Sequence, residues 1–469
     1  MVTANVIGSG PNGLAAALTL AQAGVDVTVY EWSDTPGGGA RSVEATLPGI
    51  IHDQCAGFHA LAVGNAFFSS AGLEHYGLQW LTPEISYALA MVYVRGAAAY
   101  RSVEDTVREI DDPAWESLFG PLSRKFANIS ADVVTPMLQF PKAPVDFTRF
   151  GLRAGLPANV LAALLRTEES KALYAGVAAH GFRPLSSLGS SAIGVMLLAA
   201  GHAVGWPVAK GGTAAIVDAM LQALQAHGGR VVTGAHVDSV GELSPADIVM
   251  LNTAPEAAVK LMGSRLPAPI AMWLRKFRHG PAASTVSLAV EDGIPWSYEP
   301  TWRAGTVHVG GSLPEIAFVE RQINKGIMPR NPYVLVGQQS VADPARAKDN
   351  IHPIDAYAHV PLGYPHDAAD VIIRQIERFA PGVRDRIVAQ SSRTTADIEA
   401  ENPNFVGGDI VSGSNTMHQL LFRPRPAINP YRLGDTGAYL CSASTPPGAG
   451  AHGMAGYNAA KSALAELQR

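Results

Sequence analysis

The chain has 469 residues, of which 47% are hydrophobic and 16% charged, and its formal net charge is -5. That length predicts more than one domain, since one domain usually takes roughly 100–200 residues. The composition excludes global disorder, and the small net charge argues against a nucleic-acid partner. Two cysteines are too few for a disulfide framework and fit a cytoplasmic protein in a reducing compartment.

The N-terminal residues carry no basic segment of the kind that opens a secretory signal. The most apolar window, 191–206, is too short for a membrane-spanning helix and is interrupted by Gly194, Gly201 and His202. We therefore expect a cytoplasmic location, and contact with a membrane surface stays open as a peripheral one.

The first 31 residues have the pattern of a strand, a helix and a second strand. Residues 4–7 are apolar, a glycine-rich turn follows at 8–13, a helical pattern runs to Gly24, and residues 25–30 are rich in β-branched side chains. Glu31 ends the second strand, roughly 20 residues after the glycines, where a carboxylate can accept hydrogen bonds from ribose hydroxyls. Because these parts occur in order, the segment predicts a Rossmann-type dinucleotide site.

Each glycine of the turn has a predicted role. Gly8 allows the tight turn, Gly10 lets the backbone approach a pyrophosphate, and Gly13 lets the helix pack closely on the strand. The N-terminus of the helix presents free N–H groups to that pyrophosphate.

The residues after Glu31 indicate which dinucleotide binds. A short spacer leads to Gly37-Gly38-Gly39-Ala40-Arg41-Ser42, and this arrangement resembles the FAD enzymes of the amine oxidase and phytoene desaturase superfamily. The resemblance implies FAD, with backbone passing close to the cofactor at the glycines and Arg41 reaching its phosphates or its flavin edge.

The C-terminal end has a second cofactor-like segment. A strand at 437–441 leads into a loop of small residues at 442–450 and a helix that continues to Leu467. This segment resembles the C-terminal signature of phytoene desaturase-like proteins, and within them the bacterial relatives of pyridine nucleotide-disulphide oxidoreductase domain-containing protein 2. Amine oxidases tend to have Ala-Gly-Glu where Ser442-Ala443 stands here, so the resemblance does not favour a simple amine oxidase.

The resemblance also implies a set of contacts. The residues expected to bind FAD are Gly8, Gly10, Pro11, Asn12, Gly13, Glu31, Gly38, Gly39, Ala40, Arg41, Val237, Ala254, Ser444, Gly453 and Met454. No metal-ligand spacing is present, so we expect no metal. Two histidines are the candidates for catalysis: His452 in the flavin-facing loop and His59 beside the Gly-Gly segment, each with a structural role as the alternative.

The motifs divide the chain into interleaved segments. Residues 1–70, 206–265 and 401–469 are expected to form a Rossmann-type FAD-binding domain, and 71–205 and 266–400 a mixed helix and sheet substrate domain. The predicted fold class is thus α/β combined with α+β. We also expect β-structure at 229–240, 283–290 and 333–341 and helices from 213 to 224 and near 368–379.

The resemblance implies an FAD-dependent oxidoreductase that dehydrogenates, saturates or isomerises a C–C bond in a largely apolar, carotenoid- or lipid-like small molecule. Two alternatives stay open: a flavin-binding regulatory protein with little turnover, and a flavin amine oxidase. An enzyme needs an apolar cavity beside the flavin ring. Only one GxGxxG unit, at residues 8–13, directly follows a predicted strand, and Cys55 and Cys441 form no CxxC pair, so disulfide reductase chemistry is not supported. The sequence gives no indication of the oligomeric state.

Residues 141–167 combine apolar side chains at helical spacing with basic ones. One interpretation is a membrane interface with cations at lipid phosphates; the other is an ordinary helix with its apolar face in the core. The residues concerned are Phe147, Phe150, Leu152, Leu156, Val160, Leu161, Leu164, Leu165, Lys142, Arg149, Arg153 and Arg166.

Overall fold

The structure is a computed structural model that describes residues 1–92 and 95–468. The strands are β1 (Thr3–Ile7), β2 (Asp26–Tyr30), β3 (Ser42–Val43), β4 (His52–Asp53), β5 (Trp80–Leu81), β6 (Ile85–Ala90), β7 (Gly96–Tyr100), β8 (Val208–Ala209), β9 (Arg230–Val232), β10 (Ile248–Leu251), β11 (Ala282–Glu291), β12 (Ala304–Val309), β13 (Val334–Gly337), β14 (Ile351–Val360), β15 (Ile387–Arg393) and β16 (Ala438–Leu440).

The helices are α1 (Pro11–Gln22), α2 (Ala66–Ala71), α3 (Val103–Ile110), α4 (Pro113–Arg124), α5 (Phe126–Val133), α6 (Pro144–Ala154), α7 (Ala158–Ala162), α8 (Glu168–Ala179), α9 (Ser191–Ala203), α10 (Ala214–Ala226), α11 (Pro255–Met262), α12 (Ala268–Arg275), α13 (Leu313–Ile323), α14 (Gln339–Ala342), α15 (Ala369–Glu377), α16 (Val383–Arg386), α17 (Thr395–Glu401), α18 (Met417–Phe422) and α19 (Met454–Leu467).

The first sheet has five strands, all parallel, in the order β16-β10-β1-β2-β9. Every one of these strands lies in residues 1–70, 206–265 or 401–469, so the sheet is assembled from three distant parts of the chain. Parallel strands connected through helices form the doubly wound arrangement expected of a Rossmann-type domain. The α/β part of the predicted fold class is confirmed.

Helix α1 is held between this sheet and helix α19. Gly10 caps its N-terminus without a side-chain hydrogen bond, and Pro11 occupies the first turn, where its missing N–H costs nothing. A Cβ atom on Gly456 would lie 1.7 Å from the carbonyl oxygen of Asn12, so only glycine allows α19 to approach α1 this closely. The helix built by the end of the chain therefore packs directly on the first helix.

The second sheet has seven strands in the order β15-β11-β14-β13-β12-β6-β7. Strands β12 and β6 are parallel and the other neighbours are antiparallel. One face packs against α15 through an apolar cluster, and side chains from the helices between α3 and α9 cover part of the other face. This mixed helix and sheet unit confirms the α+β part of the prediction.

Three sequence predictions of secondary structure differ from the observed bounds. The strand predicted at 229–240 is limited to β9, because the chain turns at Gly234, where φ is +64°. The strand predicted at 333–341 ends at Gly337 and is followed at once by the short helix α14. The apolar pattern at 141–167 forms two helices, α6 and α7, with Gly155 and Pro157 between them.

The apolar side chains at 141–167 are only partly buried. Leu152, Val160 and Leu164 are 69%, 47% and 55% exposed, whereas Phe150 and Leu161 are buried. Part of the pattern therefore packs in the core and part of it faces solvent, and both interpretations stay predictions. No helix within residues 1–92 and 95–468 has the length and apolar character to cross a bilayer.

Candidate cofactor and substrate site

A cavity of about 400 Å³ opens at the carboxyl ends of the parallel strands. Its wall combines the turn after β1, the end of β2, the glycine segment at 38–39, residues 235–238, the end of β10 at 252–254 and the loop at 442–451. In open α/β sheets this edge is where ligands bind.

The glycine turn after β1 takes the shape that its sequence predicts. Gly8 has a φ of +94°, which side chains disfavour, and a Cβ on Gly13 would lie 2.0 Å from the carbonyl oxygen of Gly8. Gly10 lines the cavity, and its nearest neighbours across the gap are the side-chain amide of Asn252 and the backbone of Gly38. Two glycine segments therefore approach each other and leave only backbone at this part of the wall.

Glu31 stands at the cavity wall and is 6% exposed. Its Oε2 accepts hydrogen bonds from the backbone N–H of Ser9 at 2.9 Å and from the Ser9 hydroxyl at 2.6 Å, and its Oε1 accepts from the N–H of Ser33 at 3.0 Å. The carboxylate is thereby fixed between the first turn and the end of β2, which is where an adenosine ribose binds in Rossmann-type sites.

Three buried polar atoms of the cavity wall have no hydrogen-bond partner in the described part of the chain: Asn12 Oδ1, Thr253 Oγ1 and Arg41 Nε. All three residues line the cavity. Buried polar groups are normally paired, and the N-terminus of α1 has no side-chain cap and no acidic residue in its first turn. The donors, acceptors and positive helix end of this wall fit a ribose and a pyrophosphate.

The structure brings most of the predicted cofactor residues together. Those that line the cavity are Gly8, Gly10, Pro11, Asn12, Glu31, Gly38, Gly39, Arg41, Val237, Ala254 and Ser444. The other four lie behind its wall for packing reasons. Gly13 packs on Gly8, Ala40 and Met454 are in the apolar core, and Gly453 is tightly placed against Phe67 and Ala15.

The loop at 442–451 rests on a buried arginine that the sequence analysis did not single out. Arg423 is 3% exposed; it donates hydrogen bonds to the carbonyl oxygen of Ala443 at 3.3 Å and to Asn415 Oδ1 at 2.8 Å. Burial lowers its pKa to about 10, opposed by Asp409. A cation thus lies directly under the loop that closes the cavity. The sequence offered one signal for this role of Arg423, which is its position between the cavity-lining segments 401–412 and 442–451.

His452 lies in that loop and is 2% exposed. Its Nε2 donates to the carbonyl oxygen of Ala449 at 3.2 Å, and its Nδ1 accepts from the backbone N–H of Met454 at 3.1 Å. Burial lowers its pKa to about 4. Both ring nitrogens therefore hold the start of α19 in place, which favours the structural alternative over proton transfer.

His59 is 4% exposed and shares a hydrogen bond of 3.1 Å between its Nε2 and Thr213 Oγ1. The Thr213 hydroxyl donates to the carbonyl oxygen of Ala56, so its oxygen is left to accept from the His59 ring. Burial, with a contribution from Arg346, lowers the pKa of His59 to about 3. The His59 side chain lines a second cavity.

This second cavity has a volume of about 280 Å³ and lies between the cofactor cavity and the seven-stranded sheet. The two cavities share the wall residues Gly38, Gly39, Arg41, Cys55, Ala56, Glu401, Asn402, Phe405, Ile410, Ala449, Gly450 and Ala451. Its apolar lining includes Phe58, Leu61, Leu197, Trp206 and Leu335. We call it the substrate cavity.

The sheet side of the substrate cavity carries a polar network that the sequence analysis missed. Asp355 accepts from His52 Nδ1 at 2.8 Å, and Asp53 forms an ion pair of 2.8 Å with buried Arg346. Burial raises the pKa of Asp53 in spite of that arginine. The signal was present in β14, where Asp355, Tyr357 and His359 alternate with apolar residues and so share one face.

A histidine cluster extends from the cavity into the interior. His180 lines the substrate cavity, and its Nε2 lies 2.9 Å from Nε2 of buried His308. His359 pairs with Glu320 through a distance of 2.6 Å, both fully buried. Burial and the nearby His359 lower the pKa of His180 to about 3. Within the described part of the chain, no group of side chains is placed to hold a metal ion.

The two cysteines are free thiols, and burial raises the pKa of each. Cys55 lines both cavities and burial raises its pKa to about 11, and Cys441 is fully buried beside β16. Neither is activated as a thiolate.

Comparisons with known proteins agree with this geometry. The family model of the NAD(P)-binding Rossmann-like domain matches residues 6–68. The chain is 23% identical to pyridine nucleotide-disulfide oxidoreductase domain-containing protein 2 of Rattus norvegicus, covering 99% of this chain and 93% of the relative. It is 26% identical to phytoene dehydrogenase of Streptomyces griseus, covering 95% and 91%.

Among solved structures, wild-type putrescine oxidase bound to putrescine has the same fold, with a TM-score of 0.61, 15% identity and coverage of 100% of this chain and 99% of the other. These likenesses confirm the resemblance drawn from the motifs: the chain is similar to oxidoreductases, phytoene dehydrogenase among them, and its residues 6–68 match a Rossmann-like dinucleotide-binding domain.

Proposed function

We propose that this protein is an FAD-dependent oxidoreductase that dehydrogenates, saturates or isomerises a C–C bond of a largely apolar small molecule. The single observation that carries the proposal is the junction of two cavities. One has the acceptors and glycines of a dinucleotide site, and the other is mainly apolar and meets it at Gly39, Cys55 and Ala449–Ala451.

The donor set of the first cavity fits FAD in particular. Glu31 supplies the carboxylate for the adenosine ribose, the N-terminus of α1 and Gly10 supply the phosphate side, and the loop at 449–451 borders the place for the flavin ring. Bound FAD supplies hydride transfer in such enzymes. The chain's own groups orient the cofactor and exclude water from the ring side.

The substrate cavity also separates the proposal from its main alternative. A flavin-binding regulator has no need of an apolar space beside the ring, whereas an enzyme requires one. Here Phe58, Leu61, Leu197 and Trp206 line such a space. An enzymatic function therefore accounts for the apolar cavity, whereas a purely regulatory function does not.

The purified protein tests the cofactor part of the proposal. It should be yellow and release FAD rather than FMN on denaturation, as separated by chromatography. The presence of NAD(P) alone would contradict the proposal. NADH and NADPH should reduce the bound flavin slowly in anaerobic stopped-flow measurements, because the Rossmann-like unit matched at residues 6–68 is the one that we assign to FAD.

An anaerobic screen tests the substrate part. Lipid extracts and short isoprenoids should include a fraction that bleaches the flavin band, or that is isomerised by the protein without net bleaching, as detected by chromatography. Putrescine and cyclohexylamine form the comparison set, and preferential bleaching by these amines would favour the amine oxidase alternative and exclude the C–C bond proposal.

The helices α6 and α7 further support contact with an anionic membrane surface, which we include in the proposal as the route for an apolar substrate. Exposed Leu152, Val160 and Leu164 lie close in sequence to Arg149, which is also exposed. Arg149 is paired with Asp146 at 3.6 Å, but side chains at such a surface can exchange a partner for lipid phosphate.

A further inference from the structure

The seven-stranded sheet forms the floor of the substrate cavity, and its register aligns four residues across neighbouring strands. Thr306 of β12 pairs with Gly337 of β13, Gly337 pairs with Asp355 of β14, and Asp355 pairs with Ser287 of β11. Because residues directly opposite one another in a sheet point to the same face, this row presents its polar groups together. All four residues line the cavity.

Most of the polar atoms in this row already have partners. Asp355 Oδ1 accepts from Ser287 Oγ at 3.0 Å and from His52 Nδ1 at 2.8 Å. Its Oδ2 accepts from the backbone N–H of Asp53 at 3.0 Å and from Gln339 Nε2 at 3.1 Å. With four donors, Asp355 has no need of a ligand.

Two oxygen atoms on this cavity floor have no hydrogen-bond partner among residues 1–92 and 95–468. Thr306 Oγ1 and Gln339 Oε1 are buried and unpaired, and their residues are 4% and 2% exposed. The orientation of the Gln339 amide follows from chemistry, since a carboxylate only accepts and Nε2 must therefore face Asp355. Its Oε1 is left as an acceptor, and both residues line the cavity.

Gly337 leaves space between the two oxygens. It pairs directly with Thr306, and a Cβ atom at Gly337 would lie 3.2 Å from Gln339 Oε1. A side chain here would crowd the amide and narrow the cavity floor. The row therefore combines an unpaired acceptor, an unpaired hydroxyl and a gap, all on the side that faces the cavity.

We propose that Thr306 and Gln339 bind a hydroxyl group of the substrate, which makes the substrate an alcohol with an apolar body. A hydroxyl can donate to Gln339 Oε1 and accept from Thr306 Oγ1, and so pairs with both. An ether satisfies only Thr306, a hydrocarbon satisfies neither, and an ammonium leaves the Thr306 proton without an acceptor.

The size of the cavity limits the apolar body. Its volume of about 280 Å³ lies just below the range of small-molecule sites, which span about 300–1,000 Å³. Such a space favours a short isoprenoid alcohol over a full-length carotenoid. This inference rests on the proposed function, because it assigns a substrate class to the same cavity.

Geraniol, its methyl ether and the hydrocarbon with the same carbon skeleton are suitable probes, titrated into the purified holoprotein by calorimetry. We expect the alcohol to bind about tenfold more tightly than the ether, the ratio typical of one hydrogen bond. The substitution Thr306→Val should weaken the alcohol and the ether alike relative to the hydrocarbon, because both accept a hydrogen bond from the Thr306 hydroxyl, and Thr306→Ser should retain their advantage over the hydrocarbon. Gly337→Ala should weaken binding of the alcohol more than binding of the hydrocarbon.

The melting temperature distinguishes binding from a structural role. Thr306→Val removes an unpaired buried hydroxyl, so it should not lower the melting temperature. The matched control is Thr301→Val, since the Thr301 hydroxyl is buried and donates to the Tyr298 carbonyl oxygen. This control should lower the melting temperature and leave the preference for the alcohol unchanged.

The outcomes separate this inference from the proposed function. If all three probes bind equally in the wild type and in Thr306→Val, the hydroxyl subsite is refuted while the apolar substrate cavity stands. If none of the three binds, both the subsite and the assignment of this cavity to an apolar substrate are refuted. A lower melting temperature of Thr306→Val, together with an unchanged preference for the alcohol and the ether over the hydrocarbon, would also exclude the subsite.

Discussion

The cofactor cavity and the substrate cavity meet at a shared wall but are built on different principles. Much of the first is backbone: Gly8, Gly10, Gly38 and Gly39 bring main chain close to the cofactor. The floor of the second consists of side chains from four strands whose residues are far apart in sequence. A site made of backbone needs glycine at fixed spacing, so it leaves a motif, whereas a site made of side chains across a sheet leaves none.

The largest effect is expected where backbone forms the wall. Gly10→Val should abolish FAD binding, because a branched side chain would occupy the pyrophosphate side and meet the Asn252 amide, which is 3.0 Å from the Cβ position. The matched control is Gly151→Val on α6, where a Cβ meets nothing within 4 Å. The measurement is the ratio of flavin to protein absorbance. Full FAD occupancy in Gly10→Val would show that the turn does not contact the cofactor.

A smaller effect is expected at Glu31, the acidic residue at the end of β2. Glu31→Ala should weaken FAD binding by about 10- to 150-fold, because hydrogen bonds to a charged group contribute roughly 1.5–3 kcal/mol. Glu31→Gln keeps a side-chain oxygen and should recover part of the loss. Titration of the apoprotein with FAD measures both, and equal affinity in all three proteins would remove Glu31 from the site.

The next prediction concerns the proposed membrane contact of helices α6 and α7. The double variant Arg149→Glu with Arg153→Glu should reduce flotation with anionic liposomes several-fold at low salt, because each basic residue near such a surface contributes about 1 kcal/mol. FAD content should not change. The control is Arg374→Glu with Arg384→Glu, which reverses two charges on α15 and α16. A wild-type protein that stays in the supernatant would refute the membrane contact.

The smallest effect is expected at the junction of the two domains. His279 contacts Asp409 at 3.2 Å and Glu256 at 3.5 Å, both in cofactor-domain segments. Burial opposes its charge, but these carboxylates raise the pKa to about 9. A raised folded-state pKa stabilises the fold fully below the unfolded value of about 6.5, and this stabilisation is lost as the pH rises through 9.

The melting temperature should therefore fall on the order of 2 °C between pH 6.5 and pH 9.5 through this group. His279→Gln should have a lower melting temperature at pH 6.5 and a weaker dependence on pH over this range. Parallel slopes for the variant and the wild type would mean that His279 does not titrate in this window.

The sequence predicted the cofactor half in detail because its constraints are local. The order of strand, glycines, helix and acidic residue within 31 residues determined β1, α1 and β2 and placed Glu31 at the cavity. Gly13 illustrates the limit of a motif. Its predicted packing role is confirmed by a Cβ position only 2.0 Å from the Gly8 carbonyl oxygen, whereas its place among the FAD contacts stays a prediction. A motif identifies which residue type is required and does not distinguish contact with the ligand from packing behind it.

The substrate half could not be predicted at the same level. Thr306, Gly337 and Asp355 become neighbours only through the pairing of β12, β13 and β14, and pairing register is set by tertiary contacts. The burial of Leu152, Val160 and Leu164 could not be predicted either, since apolar residues have the same helical spacing on a core face and on a surface face. The periodicity predicted helices correctly and left open which face is buried.

The position of β16 and α19 has a consequence for biosynthesis. The edge strand β16 pairs with β10, and α19 packs on α1 where Gly456 meets Asn12. During synthesis the N-terminal segments emerge first. The faces of β10 and α1 that β16 and α19 cover therefore stay uncovered until residues 438–467 have been synthesised. The nascent chain thus passes through a stage in which most of the substrate domain is made while the cofactor domain lacks its closing layer. The dinucleotide cavity is therefore complete only after the loop at 442–451 has been synthesised, because that loop forms part of its wall.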